Sequence, residues 1–188
     1  MTDVEKLGDT LRGDAEVERL TELANVGAVR AATAFEKLVA RKLRTRLPVV
    51  RNLAAPLTDG LWQSGIFFEV EGELGGLVAV FFTPRSRRAV LRRVMDREEE
   101  DVSRASAMSA LCEIGNIVVS QAVSAVANVL DERITLSVPD LAFDDAESCF
   151  AARVARRRGE GRGRRIETEF FDRDDEVRAL LVLVPDTL

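Results

Sequence analysis

Apolar and small residues recur every three to four positions in two long segments, residues 18–48 and 108–140. This period is typical of a helix that buries one face. The positions predicted to face inward are Leu20, Ala24, Gly27, Ala31, Phe35 and Leu38, and Leu111, Gly115, Val118, Ala122 and Val126. Each segment is therefore predicted to contain a long amphipathic helix. In the first, the small residues around Gly27 and Ala31 favour close packing against a neighbour.

Each predicted helix also carries polar residues opposite its apolar side. Offsets of four and seven residues return to nearly one direction at 3.6 residues per turn. The polar stripes are Glu18, Glu22 and Asn25, and Ser109, Glu113 and Asn116. Val29 and Ala32 are predicted to lie beside the first stripe on the outer face. A weakly apolar surface around a Glu and an Asn favours a docking site over a purely solvated face.

The two segments form an internal repeat. The Glu, the Asn and a later proline are offset by the same 91 positions (113 − 22, 116 − 25 and 139 − 48), and 22 residues separate each Asn from its proline. A single Glu-x-x-Asn on a helix is usually a solvated face, but its duplication at equal spacing favours a functional role. Pro48 and Pro139 are interpreted as shaping a strand entrance, because proline fixes φ and lacks a donor. Glu18 and Ser109 are interpreted as helix-start or supporting residues.

The sequence between and after these segments predicts strands and one shorter helix. Residues 61–83 predict two strands about a turn at 71–76. Pro84 then opens an amphipathic helix over residues 84–95 that turns Ala89, Val90 and Val94 inward. In the second half, the predicted elements are strands at 149–154, 165–171 and 177–184, with an extended hairpin loop at 156–165.

These elements predict an α/β fold in which helices pack on a mainly antiparallel sheet. The chain of 188 residues is long enough for one domain, 1–188, built of two pseudo-symmetric halves of about 1–100 and 101–188. The net charge of −5 argues against general affinity for nucleic acid or acidic membranes. Within the Arg156–Arg165 loop, a solvated role is favoured over binding of nucleic acid or an acidic partner.

The residue types restrict the available chemistry. The chain has no histidine, which excludes a Ser-His-Asp triad, a Cys-His pair and a His-ligated zinc site. It has no glycine-rich phosphate-loop motif. Cys112 and Cys149 form no Cys-x-x-Cys pair. Catalysis, if present, must use carboxylates, amides, hydroxyls or arginines.

The polar N-terminal sequence does not resemble a signal peptide. The longest weakly polar run, residues 117–130, is shorter than the roughly 20 apolar residues that a membrane span needs. The chain is therefore expected to be cytoplasmic, with free thiols and no membrane partner.

The spacing also carries a family resemblance. Ser109, Glu113, Asn116 and Pro139 match in full the pattern Asp/Ser-x-x-x-Glu-x-x-Asn followed by 22 residues and a proline, and so the chain resembles the CheC/CheX/FliY phosphatases of bacterial and archaeal chemotaxis. The first copy departs from the pattern only at Glu18. The segment IFFEVEGELGGLVAVFF is also similar to this family. Two copies in one chain resemble the CheC type, and no FliY-type flagellar-switch domain is expected.

The resemblance implies hydrolysis of the aspartyl phosphate of a CheY-type response regulator. The regulator would supply the phosphorylated aspartate, a lysine and Mg²⁺, so that this chain would need no cofactor or metal of its own. Glu22 and Glu113 would pair with the regulator's cation. Asn25 and Asn116 would each orient a water for in-line attack on phosphorus.

Two other functions stay open at this point. The chain could be a binding module that regulates the receptor deamidase CheD or sequesters the phosphorylated regulator with little catalysis. It could also have a structural role in the flagellar switch. Loss of phosphate from the regulator at substoichiometric amounts of this protein would distinguish catalysis from both.

Overall fold

The computed structural model describes residues 3–57, 61–72, 74–158 and 163–186. Its helices are α1 (Asp3–Val39), α2 (Pro84–Met95), α3 (Arg104–Leu130) and α4 (Ala146–Arg158), with one 3₁₀ turn at Glu99–Asp101. Its strands are β1 (Arg44–Thr45), β2 (Val49–Asn52), β3 (Ser64–Glu71), β4 (Gly76–Phe82), β5 (Thr135–Leu136), β6 (Asp140–Ala142), β7 (Arg164–Phe171) and β8 (Arg178–Pro185). These elements confirm the predicted α/β class.

The strands form one sheet in the order β1-β7-β8-β4-β3-β5, with β2 also beside β7 and β6 also beside β3. Every pairing among the described strands is antiparallel. At the centre, β4 of the first half pairs with β8 of the second over seven residue pairs, from Gly76–Pro185 to Phe82–Ala179. The two halves therefore meet along equivalent strands.

The halves also exchange their short strands. β1 and β2 pair with β7 of the second half, whereas β5 and β6 pair with β3 of the first. Neither half therefore completes its own part of the sheet: β3 and β7 each pair with a strand of their own half along one edge, and the backbone groups of the other edge are paired by the other half. The repeat in the sequence corresponds to an intertwined pair of halves.

The two long helices cover one face of the sheet. The buried side chains of α1 and α3 pack in one core with Ile66, Phe68 and Val70 of β3, which alternate with residues facing the opposite side. A Cβ at Gly27 would lie 3.2 Å from the Ala122 carbonyl oxygen. A Cβ at Gly115 would lie 2.8 Å from Ile66 Cγ2. Small residues thus let α1 approach α3, and α3 approach the sheet, as predicted for the first helix.

The other face of the sheet is covered by α4, and here the sequence prediction was wrong. Residues 149–154 were predicted as a strand but lie within α4. Ala146, Phe150 and Val154, spaced by four, are the buried positions of this helix and pack on Phe81 of β4. The apolar residues in 149–154 are too few to distinguish a strand from a turn of helix.

The predicted hairpin loop at 156–165 is also wrong in part. Residues 156–158 belong to α4, residues 159–162 lie outside the described part, and Arg165 is fully buried in β7. The guanidinium of Arg165 contacts Glu167 at 2.7 Å and donates to four carbonyls of residues 52, 53, 55 and 56.

The extra length of the second half can be located from the strand positions. β2 and β6 begin 91 positions apart (140 − 49), but β3 and β7 begin 100 apart (164 − 64). The extra residues of the second half therefore lie between β6 and β7, in the segment that contains α4.

The remaining predicted elements are confirmed with small corrections. The structure places β3, β4, α2, β7 and β8 where strands and a helix were predicted. Ala89 and Val90 face inward as expected, but Val94 is exposed in the last turn of α2, and Leu91 takes the inward position instead. Ala32 was predicted on the outer face and is buried in the core of α1, α3 and the sheet.

By length and composition alone, α3 is apolar enough to cross a membrane. In this fold its apolar residues serve the core, since Leu111, Ile114, Val118 and Val119 are buried against α1 and the sheet. The apolar character of α3 is accounted for by this central position.

Candidate functional site

Both predicted polar stripes lie on the outer surface of the helix layer. The six side chains are all exposed: Glu18, Glu22, Asn25, Ser109, Glu113 and Asn116. Leu20 and Leu111, on the opposite side of each helix, are buried in the core. The polar stripes therefore face solvent. The structure therefore brings Glu and Asn together on one outward side in each copy.

The two copies lie towards opposite ends of the paired helices. Gly27 of α1 packs against Ala122 and Val126 of α3, whereas Leu20, seven residues earlier in α1, clusters with Val126 and Leu130. The helices are therefore antiparallel, and both stripes are on the N-terminal side of the crossing. Glu22 with Asn25 (site one) and Glu113 with Asn116 (site two) form two separate surfaces.

The stripe residues make few contacts within the chain. Neither Glu22 nor Glu113 has an ion pair with any residue that the structure describes. Asn116 Oδ1 accepts a hydrogen bond from Ser120 Oγ at 3.5 Å, a contact that the sequence analysis missed. The amide and the carboxylates are thus available to a partner.

The two prolines of the repeat stand where a strand begins. β2 starts at Val49, directly after Pro48, and β6 starts at Asp140, directly after Pro139. Their interpretation as strand-entrance residues is confirmed. By contrast, neither Glu18 nor Ser109 begins its helix, because α1 begins at Asp3 and Ser103 caps α3 by accepting from the Ser106 amide. A supporting role for Glu18 and Ser109 stays a prediction.

Cys112 lies one residue before Glu113 and is a free thiol. Burial, followed by the negative charge of nearby Asp140, raises the pKa of the Cys112 thiol above its ordinary value. At neutral pH the group is therefore a protonated, poorly nucleophilic thiol. This agrees with its interpretation as an ordinary helix residue.

The described residues contain no group of three or more His, Cys, Asp or Glu side chains arranged to hold a metal ion. What the two sites offer instead is a carboxylate and an amide three residues apart on one exposed helix side. An amide both donates and accepts hydrogen bonds and does not titrate, so it can orient a water but cannot deprotonate one. The carboxylate can pair with a cation on an approaching partner.

Comparison with known proteins agrees with this arrangement. The model of the CheC-like family matches residues 107–142, which include Glu113, Asn116 and Pro139. The chain is 23% identical over 186 residues to the CheY-P phosphatase CheC of Bacillus subtilis, covering 92% of this chain and 89% of that protein.

Solved structures share the fold. CheX of Vibrio vulnificus superposes with a TM-score of 0.66 at 12% identity, covering 88% of this chain and 99% of that one. The CheX–CheY–BeF₃–Mg²⁺ complex of Borrelia burgdorferi contains a chain that superposes with a TM-score of 0.61 at 9% identity, covering 86% of this chain and 97% of that one.

Proposed function

We propose that this chain, a member of the CheC/CheX/FliY family, is a phosphatase that hydrolyses the aspartyl phosphate of a CheY-type response regulator. The observation that carries the proposal is the duplicated, exposed Glu-x-x-Asn on α1 and α3. The name of the Bacillus subtilis relative, a CheY-P phosphatase, and the CheX–CheY complex support a regulator of this kind as substrate.

In this proposal Glu22 and Glu113 hold the regulator. Each carboxylate is exposed and has no ion pair among the described residues, so docking breaks no such internal contact. Pairing with a cation of the regulator fixes the depth and direction of the helix in the partner's cleft. Because the Glu precedes the Asn by three residues, both side chains enter from one side of the helix.

Asn25 and Asn116 then position the attacking water. Phosphoryl transfer depends mostly on placement and electrostatic stabilisation, so an uncharged group that fixes a water in line with the breaking P–O bond is sufficient. The regulator's own Mg²⁺ would neutralise charge on the phosphoryl oxygens. With no histidine in this chain, no imidazole base from it takes part in the reaction.

The decisive test is turnover at substoichiometric protein. A CheY-type regulator from the same organism would be phosphorylated with acetyl phosphate, freed from the excess, and mixed with this protein at about one hundredth of its concentration. We expect complete release of phosphate, many equivalents per protein molecule and faster than autodephosphorylation of the regulator alone.

A protein that only sequesters the regulator would give a different result. Phosphate release would then stay at the rate of the free regulator, and binding would saturate at a fixed stoichiometry. The matched control is the Asn25→Ala/Asn116→Ala protein, which keeps both glutamates. Equal phosphate release by this control and the wild type would contradict the proposal.

A further inference from the structure

The two most exposed of the large apolar side chains on the described surface occupy equivalent places in the repeat. Val138 is 85% exposed and Leu47 is 78% exposed. They are 91 positions apart (138 − 47), the same offset that relates the two glutamates and the two asparagines. Scattered exposed apolar residues are ordinary, but two at the repeat's own offset indicate a shared role.

Each of these side chains is held outward by its local backbone. The residue before Val138, Ser137, donates its amide to the Glu69 carbonyl of β3 at 3.0 Å. The residue before Leu47, Arg46, donates its amide to the Glu169 carbonyl of β7 at 2.9 Å. A proline follows each apolar residue and fixes φ there. The two segments, 46–48 between β1 and β2 and 137–139 between β5 and β6, are thus held against the neighbouring long strand, and exposure of Leu47 and Val138 is built into the fold.

The two segments lie beside the helices that carry the two sites. β6, which follows Val138 by two residues, packs against α3, and the charge of Asp140 acts on Cys112, the neighbour of Glu113. At site one, Val50 of β2, three residues beyond Leu47, packs with Leu20 and Leu23 of α1, which adjoin Glu22. Each exposed apolar side chain therefore belongs to the surroundings of one Glu–Asn site.

We propose that Leu47 and Val138 are apolar docking points for the phosphorylated regulator, Leu47 at site one and Val138 at site two. This inference rests on the proposed function and adds a second contact to it. The regulator fits better than a second copy of this chain, because the apolar points repeat with the Glu–Asn pairs and a regulator must approach each pair. The partner surface would be an apolar rim beside the cleft that receives the Asn.

Substitution should therefore affect binding of the regulator rather than the chemical step. Val138→Ser would be measured in an Asn25→Ala background, where site two alone is active. We expect KM to rise about tenfold, the effect of losing one well-buried apolar contact, with kcat within about twofold. Val138→Leu should restore a KM close to the parent value. Leu47→Ser should give the same pattern in an Asn116→Ala background and no effect in the Asn25→Ala background.

Val129→Ser is the matched control, because Val129 is 59% exposed on α3 but 13 residues beyond Asn116. It should leave KM unchanged. Thermal unfolding of every variant should match its parent, since the substituted side chains are exposed. Titration with the beryllofluoride-activated regulator supplies a second readout. When Val138→Ser is added to the Asn25→Ala/Asn116→Ala protein, the regulator should bind this protein more weakly.

An unchanged KM and unchanged titration for Val138→Ser and Leu47→Ser would overturn the docking inference, while phosphate release that depends on Asn25 and Asn116 would leave the proposed function intact. A fall in kcat with unchanged KM would also overturn it. If the wild type releases no phosphate at all, the proposed function fails, and the titration alone decides whether the two apolar points bind the regulator.

Discussion

Ser120 lies one turn beyond Asn116 on α3 and donates a hydrogen bond to its side chain, with 3.5 Å between Ser120 Oγ and Asn116 Oδ1. In α1 the equivalent position, 91 residues earlier (120 − 91), is Val29, which is 53% exposed and carries no hydrogen-bonding group. The amide of site two is therefore restrained in a way that the amide of site one is not.

Ser120→Ala should lower kcat at site two by up to about twofold, because a contact of 3.5 Å is long for an O–H···O hydrogen bond and contributes at most about 0.5 kcal/mol to orienting the amide. The converse change, Val29→Ser, should raise kcat at site one. Both are measured as phosphate release in single-site backgrounds, with Ser124→Ala on the same helix as control. Unchanged kcat for Ser120→Ala, with Asn25→Ala present, would show that the contact does not position Asn116.

The two sites should be unequal for a second reason. Glu18 places a negative charge beside Glu22, where the proposed mechanism brings in the phosphoryl group, whereas site two has the neutral Ser109. Like-charge repulsion over a few ångströms changes a rate several-fold even when screened. Asn116→Ala should therefore cost more activity than Asn25→Ala, and Glu18→Ser should speed site one when combined with Asn116→Ala. An Asn25→Ala protein without activity would reverse this ranking.

The rate should be nearly independent of pH between about 6 and 8. Asparagine does not titrate, and the chain contains no histidine to act as a base in this range. The measurement is phosphate release at saturating regulator, corrected for the pH dependence of the regulator alone. A bell-shaped profile centred in that window would reveal a general acid or base outside the proposed mechanism.

Close packing of α3 on the sheet gives a prediction about stability. Gly115→Ala would place a methyl 2.8 Å from Ile66 Cγ2, and Ile66 is fully buried. Better helix propensity contributes about 1 kcal/mol, but overpacking of a rigid core costs about 1–3 kcal/mol. We expect a net loss of up to about 2 kcal/mol in the free energy of unfolding by urea denaturation. Ser124→Ala, on the outer surface, should change it by less than about 0.5 kcal/mol.

Much of the fold could be predicted from the sequence, because its longest elements carry a clear period. The apolar stripe of α1 predicted a helix with an exposed polar side. The equal spacing from each asparagine to its proline, Asn25 to Pro48 and Asn116 to Pro139, predicted the second helix and the two strand entrances. The intertwined sheet could not be predicted, since the pairing of β1 and β2 with β7 depends on contacts between residues more than 100 positions apart.

The errors have a common physical origin in short or charged segments. The run 149–154 contains too few residues to show a helical period, and only burial of Phe150 and Val154 against the sheet reveals it. Arg165 was placed where a solvated loop, taking up the extra length of the second half, meets a strand, yet it is buried and its guanidinium is satisfied by Glu167 and four backbone carbonyls. The Ser120–Asn116 contact was predictable from its spacing of four residues.

The central claim is that glutamate docks the regulator and asparagine carries the chemistry, and paired double mutants test it most directly. For wild type, Glu22→Ala/Glu113→Ala and Asn25→Ala/Asn116→Ala, one would measure the dissociation constant for the beryllofluoride-activated regulator together with phosphate release. We predict that the asparagine pair keeps wild-type affinity and loses at least about 100-fold in kcat, while the glutamate pair loses affinity. If the asparagine pair instead loses affinity as much as the glutamate pair, or still turns over at the wild-type rate, the claim is contradicted.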